Sequence, residues 1–335
     1  MNNDTRTAVT IEAIGSYVPE RRVTNDELAQ RVDTSDEWIR SHTGIGARHL
    51  AEDHIATSDL AVKAALDAIE RSQMRKEDID GIVLATATPD FVGFPSTACV
   101  VQEKLEMIGV TALDVVAGCT GFIYGIEVAR GLILTGAMHH VLVIGAEKLS
   151  SIVNWEDRDT CVLFGDGAGC AIVSGGGDAE AERGVKETIL YADGRGSSSL
   201  MVPKGGSSAP LRDTTVAIED VTISMDGHEV YKFAVAKLGE TIKKLMDHND
   251  LTVDDIDMII PHQANIRIIQ AAARRLRIPM DKFFVNIEDY ANTSSASIPI
   301  ALKNLEDEGR LAKGDRIIIV GFGAGLTSGG SVIVW

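Results

Sequence analysis

Glu77-Asp78-Ile79-Asp80-Gly81-Ile82-Val83 and Asp254-Asp255-Ile256-Asp257-Met258-Ile259-Ile260 are two versions of one pattern, displaced by 177 positions. Nearly the same displacement, within one residue, brings residues 140–145 onto residues 316–321, and both stretches are apolar and end in glycine. A displacement that recurs over two separate pairs indicates an internal repeat of about half the chain.

The same order of elements surrounds both copies: helix, strand, helix, strand, helix, strand. After the first helix, the Asp-Ile-Asp turn leads into the first strand. The predicted helices are 59–74, 95–107 and 121–134 in the first half, and 232–248, 264–276 and 297–305 in the second. The middle strands are predicted at 111–116 and 284–287. Apolar strands without strict alternation indicate sheets covered on both faces, so we expect an α/β fold of two similar halves, 1–177 and 178–335, with the boundary near Gly175-Gly176-Gly177.

Composition and charge exclude several classes of function. The 335 residues include 32 Lys and Arg against 49 Asp and Glu, a net charge of −17 without a basic tail, which argues against nucleic acid or an anionic membrane as the main partner. An acidic partner would need a local basic patch. No apolar run approaches the roughly 20 residues of a membrane span, and the first ten residues lack a signal-peptide layout. Four Cys in this length do not form a disulfide framework, so we expect a cytoplasmic protein with free thiols.

A Gly- and Ser-rich stretch, residues 192–213, interrupts the second half. It is interpreted as a long functional loop, with a disordered connection as the alternative.

Cys119 is the strongest candidate nucleophile. It lies between the strand ending near Val116 and the helix beginning at Gly121, with small neighbours that let a substrate approach the sulfur. The free amides and dipole at a helix start favour a thiolate, so we expect a pKa below the ~8.5 of a free cysteine. An inert core thiol, the alternative, is the interpretation for Cys99, Cys161 and Cys170.

Two further polar residues are predicted at strand ends. His262 follows the apolar residues 258–261, at the edge where α/β folds place their sites, and it is a candidate acid, base or hydrogen-bond donor. Asn292 follows a predicted strand and precedes a helix, where a helix N-cap is the simpler interpretation. The Gly-rich stretches 164–169 and 321–326 lack phosphate-loop spacing, so close backbone packing or an oxyanion hole is favoured.

Taken together, the motifs Gly-Cys-Thr-Gly-Phe at Cys119, Pro-His-Gln-Ala-Asn at His262 and Ala-Asn-Thr-Ser-Ser-Ala-Ser at Asn292 resemble those of the bacterial β-ketoacyl-acyl carrier protein synthase III family. The likeness runs from about residue 11 to residue 335. It implies the thiolase fold, an internally duplicated α/β unit in five layers, α-β-α-β-α, which agrees with the repeat.

The resemblance implies a decarboxylative condensation that initiates fatty acid biosynthesis. Cys119 would take the acyl group from acyl-CoA, and His262 and Asn292 would hold the thioester carbonyl of malonyl-acyl carrier protein while CO₂ leaves. The Cys119 amide and an amide of Gly323-Ala324-Gly325 would bind the acyl-enzyme carbonyl. The acyl-CoA is a substrate, and neither a cofactor nor a metal is expected.

Residues for substrate binding follow from the same resemblance. Trp38 and Arg158 match positions that hold the adenine of CoA, and Thr34, Gly227 and Asn265 match contacts to its base or pantetheine arm. At position 42, His stands where relatives commonly have Arg.

Two aromatic residues and a basic helix complete the implied assignments. Phe94 matches a residue that closes the acyl site across a homodimer interface, and Phe322 matches one beside the catalytic groups. Arg267, Arg274 and Arg275 lie on the predicted helix 264–276 and, with Lys232, would dock the acidic carrier protein. A solvated face is the ordinary interpretation of such a charge run.

The sequence is also compatible with alternative functions. A thiolase would have a second Cys within residues 322–326, and none is present. A related condensing enzyme of secondary metabolism, or an acyltransferase of the same family, would share Cys119, His262 and Asn292. A Cys-dependent acyl-CoA hydrolase could use Cys119 and His262, and a non-catalytic binding protein would not acquire an acyl label.

Overall fold

Two sheets of matching topology form the centre of the fold in the computed structural model, which describes residues 8–177, 183–211 and 216–335. The strands are β1 (Ala8–Tyr17), β2 (Arg22–Thr24), β3 (Ala47–His49), β4 (Gly81–Ala85), β5 (Thr111–Val115), β6 (His140–Glu147), β7 (Gly167–Gly177), β8 (Gly184–Ala192), β9 (Leu200–Met201), β10 (Ser224–Met225), β11 (Met258–Pro261), β12 (Arg316–Gly323) and β13 (Thr327–Val334). The helices are α1 (Asn25–Leu28), α2 (Asp36–Thr43), α3 (Thr57–Ser72), α4 (Thr97–Lys104), α5 (Gly121–Leu134), α6 (Arg158–Cys161), α7 (Ile218–Val221), α8 (Gly227–His248), α9 (Ile266–Leu276), α10 (Ile287–Tyr290) and α11 (Ser297–Asp307).

The strand order repeats between the sheets. The first sheet runs β1-β7-β6-β4-β5 and the second runs β8-β13-β12-β11. In both sheets the Asp-Ile-Asp strand pairs in parallel with the next repeated strand: Gly81 lies opposite Val141, and Met258 lies opposite Ile317. The displacement of the sequence repeat therefore preserves the pairing register, and the predicted duplication is confirmed.

Helices cover both faces of each sheet. Side chains of α5 and α11, such as Ile126 and Leu302, share one core with Val143 of the first sheet and Ile319 of the second. The opposite face of the first sheet packs on α3 and α4, and that of the second packs on α8 and α9. This is the predicted five-layer α-β-α-β-α arrangement, and burial on both faces explains why the strands lack polar alternation.

One predicted strand, 284–287, is wrong. A single bridge joins Phe283 to Ile259, and the chain then turns into α10. The buried side chain of Gln263 takes the place of the hydrogen bonds that a neighbouring strand would make. Its Nε2 donates to the carbonyl of Phe284 at 3.1 Å, and its Oε1 accepts from the amide of Asn286 at 3.1 Å. Because a side chain satisfies these backbone groups, no fifth strand is required.

The predicted boundaries of the halves stay a prediction. Gly175-Gly176-Gly177 ends β7, and residues 178–182 lie outside the described residues. In the Gly- and Ser-rich stretch, residues 194–199 form a 3-10 turn and β9 pairs with β10, while residues 212 and 213 lie outside the described residues. None of the helices in the described residues is long and apolar enough to cross a membrane. The four cysteines are free thiols, as predicted.

Candidate active site

The residue Cys119 lies in a 3-10 turn, Gly118–Thr120, between β5 and α5. The hydroxyl of Thr120 donates to the carbonyl of Ala117 at 2.7 Å and fixes the start of the turn. Gly118 has φ +53°, a conformation that L side chains rarely adopt. The local sequence thus places Cys119 at the start of a largely buried helix, and the residue itself is 8% exposed.

Burial raises the pKa of the Cys119 thiol to about 11, and the charge of an ionised Glu147 would add to the rise. Hydrogen bonds from the Ser294 hydroxyl and from the amides of Cys119 and Ala324 act in the opposite direction. The expectation of a lowered pKa is therefore wrong for the free site: loss of hydration outweighs the donors at the helix start. The nucleophile rests as a thiol.

His262 follows β11 and is 1% exposed. Burial lowers its pKa to about 3, so the imidazole is neutral at physiological pH. Its Nδ1 lies 2.6 Å from Oγ of Ser297, the first residue of α11, and its ring meets Phe322 edge-on with centroids 5.3 Å apart. If the Ser297 hydroxyl donates to Nδ1, Nε2 carries the proton and is a neutral donor.

Asn292 is held by the turn that follows it rather than serving as the N-cap of α11. Its Oδ1 accepts the amide of Ser294 at 2.8 Å, which leaves the NH₂ group as the free end of the side chain. A bridge with Phe164 fixes its backbone. Gly145 of β6 permits the turn to approach the first sheet, because a Cβ there would lie 2.3 Å from the carbonyl oxygen of Ser295.

Two cavities meet at Cys119. One, of about 110 Å³, is lined by Cys119, His262, Asn292, Phe322 and Gly323, and extends past residues of α8 and α9. The other, of about 250 Å³, is mostly apolar and is lined by Cys119 and Ser294 together with Val116, Leu149, Ile152, Leu200, Met201, Val202 and Ile223. The thiol thus separates a channel that carries polar donors from an apolar chamber. Residues 200–202 come from the Gly- and Ser-rich stretch, so that stretch lines the site.

The loop Gly323-Ala324-Gly325 lies against Cys119. A Cβ at Gly323 would lie 2.6 Å from the Cys119 amide nitrogen, so only glycine permits this approach. The amides of Cys119 and Ala324 both donate toward the sulfur. They are therefore placed where an oxyanion on an acyl group bound to that sulfur would need donors.

Trp38 and Arg158 are brought together, with the guanidinium 4.3 Å above the indole. The ring of His42 stacks on the same indole at 4.4 Å. Oγ1 of Thr34 and Nε of Arg158 are buried polar atoms without a hydrogen-bond partner in the described residues. The guanidinium of Arg158 therefore has an unused donor beside the indole of Trp38.

Gly227 and Asn265 line the smaller cavity. Gly227 begins α8, and a Cβ there would meet only the end of Met225, at 3.9 Å. Asn265 already makes two hydrogen bonds: its Oδ1 caps α9 by accepting from the Arg267 amide at 2.8 Å, and its Nδ2 donates to the His42 carbonyl at 3.1 Å.

The remaining predicted residues lie away from the cavities. Phe94 is 89% exposed and lines neither of them. Arg267, Arg274 and Arg275 are exposed on α9, outside any ion pair in the described residues, and Lys232 lies on α8, 3.7 Å from Glu229.

Sequence reasoning missed three supporting side chains: Ser294 beside Cys119, Ser297 beside His262, and the buried Glu147. The two serines belong to the motif at Asn292, and its dense run of hydroxyls was the available signal. Nothing in the local sequence distinguishes Glu147. Among the described residues, no group of three or more His, Cys, Asp or Glu side chains could hold a metal ion.

Chemically, the arrangement can form a thioester on Cys119 with its acyl chain in the apolar chamber. Two neutral side chains could then donate to a second carbonyl in the channel.

Comparison with known proteins identifies the family. The model described as 3-oxoacyl-[acyl-carrier-protein (ACP)] synthase III matches residues 113–194, and the one described as the C terminal of 3-oxoacyl-[acyl-carrier-protein (ACP)] synthase III matches residues 246–335. A solved 3-oxoacyl-[acyl-carrier-protein] synthase III from Aquifex aeolicus superposes with a TM-score of 0.89 at 41% identity, covering 98% of this chain and 100% of that one. This similarity confirms the thiolase fold.

Two relatives carry the name β-ketoacyl-[acyl-carrier-protein] synthase III. The protein of Caldanaerobacter subterraneus subsp. tengcongensis is 49% identical over 328 residues, 98% of each chain. That of Clostridioides difficile is 48% identical over 325 residues, 97% of this chain and 98% of the relative. Because identity at this level extends along nearly the whole of both chains, the protein belongs to the β-ketoacyl-[acyl-carrier-protein] synthase III family.

Proposed function

We propose that the protein condenses an acyl-CoA primer with malonyl-acyl carrier protein, with loss of CO₂, to give 3-oxoacyl-acyl carrier protein and so initiate fatty acid biosynthesis. One observation carries the proposal: Cys119 lies between an apolar chamber and a channel lined by His262 and Asn292. Family membership, established over nearly the full chain, supports the same chemistry.

In the first step the Cys119 sulfur attacks the thioester carbon of acyl-CoA. The C–S bond to CoA breaks, and the proton lost by the Cys119 thiol leaves with the CoA thiol, so the step needs no other reactant. The amides of Cys119 and Ala324 stabilise the tetrahedral oxyanion. The product is a thioester, which keeps the acyl carbon electrophilic for the second step.

In the second step Nε2–H of His262 and Nδ2–H of Asn292 donate to the thioester carbonyl of malonyl-acyl carrier protein. The C–C bond to the carboxylate breaks, CO₂ leaves, and the electron pair forms an enolate held by these two donors. The enolate carbon attacks the acyl carbon, the C–S bond to Cys119 breaks, and the departing thiolate takes up one proton from water. Because burial keeps His262 neutral, it serves as a donor without first being charged.

CoA is proposed to bind beside Trp38. The unpartnered Nε of Arg158 offers a hydrogen bond there, and the unpartnered Oγ1 of Thr34, four positions before Trp38 in the chain, is a second available polar atom. Arg158 lies directly on the indole, so an adenine placed between the two must displace the guanidinium. Gly227 and Asn265 then border the channel along which a pantetheine arm would reach Cys119.

Carrier protein is proposed to dock on α9. The apolar face of this helix packs on the outer face of the second sheet, while Arg267, Arg274 and Arg275 are exposed. In a chain of net charge −17, these arginines and Lys232 offer the local positive surface that an acidic partner requires.

A cytoplasmic homodimer is proposed as the working form. β5 is the edge strand of the first sheet, so one side of it is without a partner strand in the described residues. Around that edge Val92, Phe94, Ile108 and Val116 are each more than 80% exposed. An apolar cluster beside an open sheet edge is typical of a protein interface, and a second copy would cover both.

A steady-state assay with acetyl-, branched and longer acyl-CoA against malonyl-acyl carrier protein tests the function. We expect 3-oxoacyl-acyl carrier protein and CO₂ from native enzyme, and loss of product in Cys119→Ala. Cys161→Ala, which also removes a buried thiol, is the matched control and should keep the activity. Release of free CoA and carboxylic acid without condensation product would instead identify a hydrolase.

A further inference from the structure

The side chain of Glu147, the last residue of β6, is completely buried. Its carboxyl lies 3.2 Å from Oγ1 of Thr86, 3.0 Å from the amide of Ala87, 2.7 Å from Oγ1 of Thr88 and 2.8 Å from Oγ of Ser295. These groups belong to two separate segments, the end of β4 with its following turn and the turn Ser294–Ala296. The carboxyl therefore joins the first half of the chain to the turn that follows Asn292.

A buried carboxylate ordinarily requires a cation, and none pairs with Glu147 in the described residues. The next residue, Lys148, is committed elsewhere: its Nζ donates to the carbonyls of Glu52, Asp53 and Ile55 at 2.6 to 3.1 Å. Burial raises the pKa of Glu147 above that of an ordinary carboxyl. These observations favour the un-ionised acid.

The two contacts of the Ser295 hydroxyl support the same protonation state of Glu147. Oγ of Ser295 lies 3.0 Å from the carbonyl oxygen of Ala85 and 2.8 Å from Oε1 of Glu147. A hydroxyl has one proton to donate, so each contact is a full two-centre hydrogen bond only if Glu147 donates a proton of its own to Ser295. Ser295 can then donate to Ala85.

The position of this link bears on catalysis. Ser295 follows Ser294, whose amide holds Oδ1 of Asn292 and whose hydroxyl bonds to Cys119. An ionised Glu147 would make Cys119 harder to deprotonate and would oppose an enolate nearby, whereas a neutral acid does neither.

We propose that Glu147 is a positioning residue for the condensation step: as an un-ionised acid it fixes Ser295, and through this turn the amide of Asn292 that holds the enolate oxygen. The inference rests on the proposed function. It assigns Glu147 no contact with substrate.

The test compares Glu147→Gln, Glu147→Ala and Ser295→Ala. Gln can donate its NH₂ to Ser295 and accept from Thr88, so it reproduces the neutral acid. Acylation is measured in a single turnover with acyl-CoA, and condensation is measured as kcat and KM for malonyl-acyl carrier protein. Asp80→Asn is the matched control, because Asp80 links β4 to β6 at the far end of the strands through the amides of His139 and His140.

We expect Glu147→Ala and Ser295→Ala to lower the kcat of condensation by about 100-fold, the cost of misplacing a catalytic group by about 1 Å, with much smaller changes in acylation and KM. Glu147→Gln should restore kcat, and the infrared C=O band of a protonated carboxyl in native enzyme should disappear in that variant. If Glu147→Ala does not fold, Ser295→Ala carries the comparison.

Two results would overturn the inference. A Glu147→Gln enzyme as defective as Glu147→Ala would mean that the ionised carboxylate is required. An equal loss of acylation and condensation in Glu147→Ala and Ser295→Ala would mean that the link is purely structural. If native enzyme makes no 3-oxoacyl product at all, the proposed function fails instead. Failure of the proposed function is thus distinguished from failure of the inference about Glu147.

Discussion

The pKa of about 11 for Cys119 predicts slow and steeply pH-dependent alkylation of the free enzyme. At about pH 8 a thiol with this pKa is ionised in about one molecule in a thousand, whereas a free cysteine of pKa ~8.5 is ionised in about a quarter. A more basic thiolate is the better nucleophile, which recovers about tenfold of this difference. Alkylation of Cys119 should therefore be slower than that of a free thiol by about 20-fold.

Iodoacetamide labelling of a Cys99→Ser variant measures this rate, since Cys99 is the exposed cysteine. The modified Cys119 peptide is quantified by mass spectrometry, with a cysteine in a short unstructured peptide as the reference thiol. The rate should rise about tenfold per pH unit from about pH 7 to about pH 10, because the thiolate is the reacting form. Ser294→Ala removes a hydrogen bond that lowers the pKa, so its labelling should be slower still.

A rate that levels off near or below about pH 8, or exceeds that of the reference thiol, would refute the reasoning. Either result would mean that the amides at the head of α5 outweigh burial. The sequence-based expectation of a lowered pKa would then be correct after all.

Three other predictions concern the donors, the docking surface and acid stability. His262→Ala and Asn292→Ala should each retain most acylation but lower condensation by roughly 10²–10³-fold in separate half-reaction assays, and equal losses would contradict the division of roles. Arg267→Glu with Arg274→Glu should raise the KM for carrier protein and weaken its salt dependence, leaving acylation by acyl-CoA little changed; unaltered KM and salt dependence would exclude this face. The folded-state pKa of His262 is about 3, below its ordinary value, so its contribution to the free energy of unfolding is present above about pH 6.5. This contribution is lost as the pH falls toward 3, and the free energy of unfolding then decreases by about 5 kcal/mol in all. In urea unfolding the free energy of His262→Gln should fall less steeply across that window, and parallel slopes would contradict the low pKa.

The repeat predicted the architecture well because it reflects pairing register. The Asp-Ile-Asp turn precedes both β4 and β11, and the residues after it enter equivalent positions of the two sheets. The one strand predicted wrongly, 284–287, fails for a reason outside its own sequence: Gln263, a side chain from another segment, satisfies its backbone groups.

At the site, residue types were predictable and their protonation was not. The setting of Cys119 pointed to a nucleophile because helix position is local in sequence. Its pKa depends on burial by both halves of the chain, which local sequence does not encode. Glu147 was missed for the same reason, because Glu147 and its partner Ser295 are 148 positions apart.

The central claim is that Cys119 carries the acyl group through both steps. Incubation with labelled acyl-CoA, followed by peptide mapping, should place the label on Cys119, and a chase with malonyl-acyl carrier protein should transfer it into 3-oxoacyl-acyl carrier protein with release of CO₂. Label on Cys99, Cys161 or Cys170, or label on Cys119 that the chase does not remove, would contradict the account.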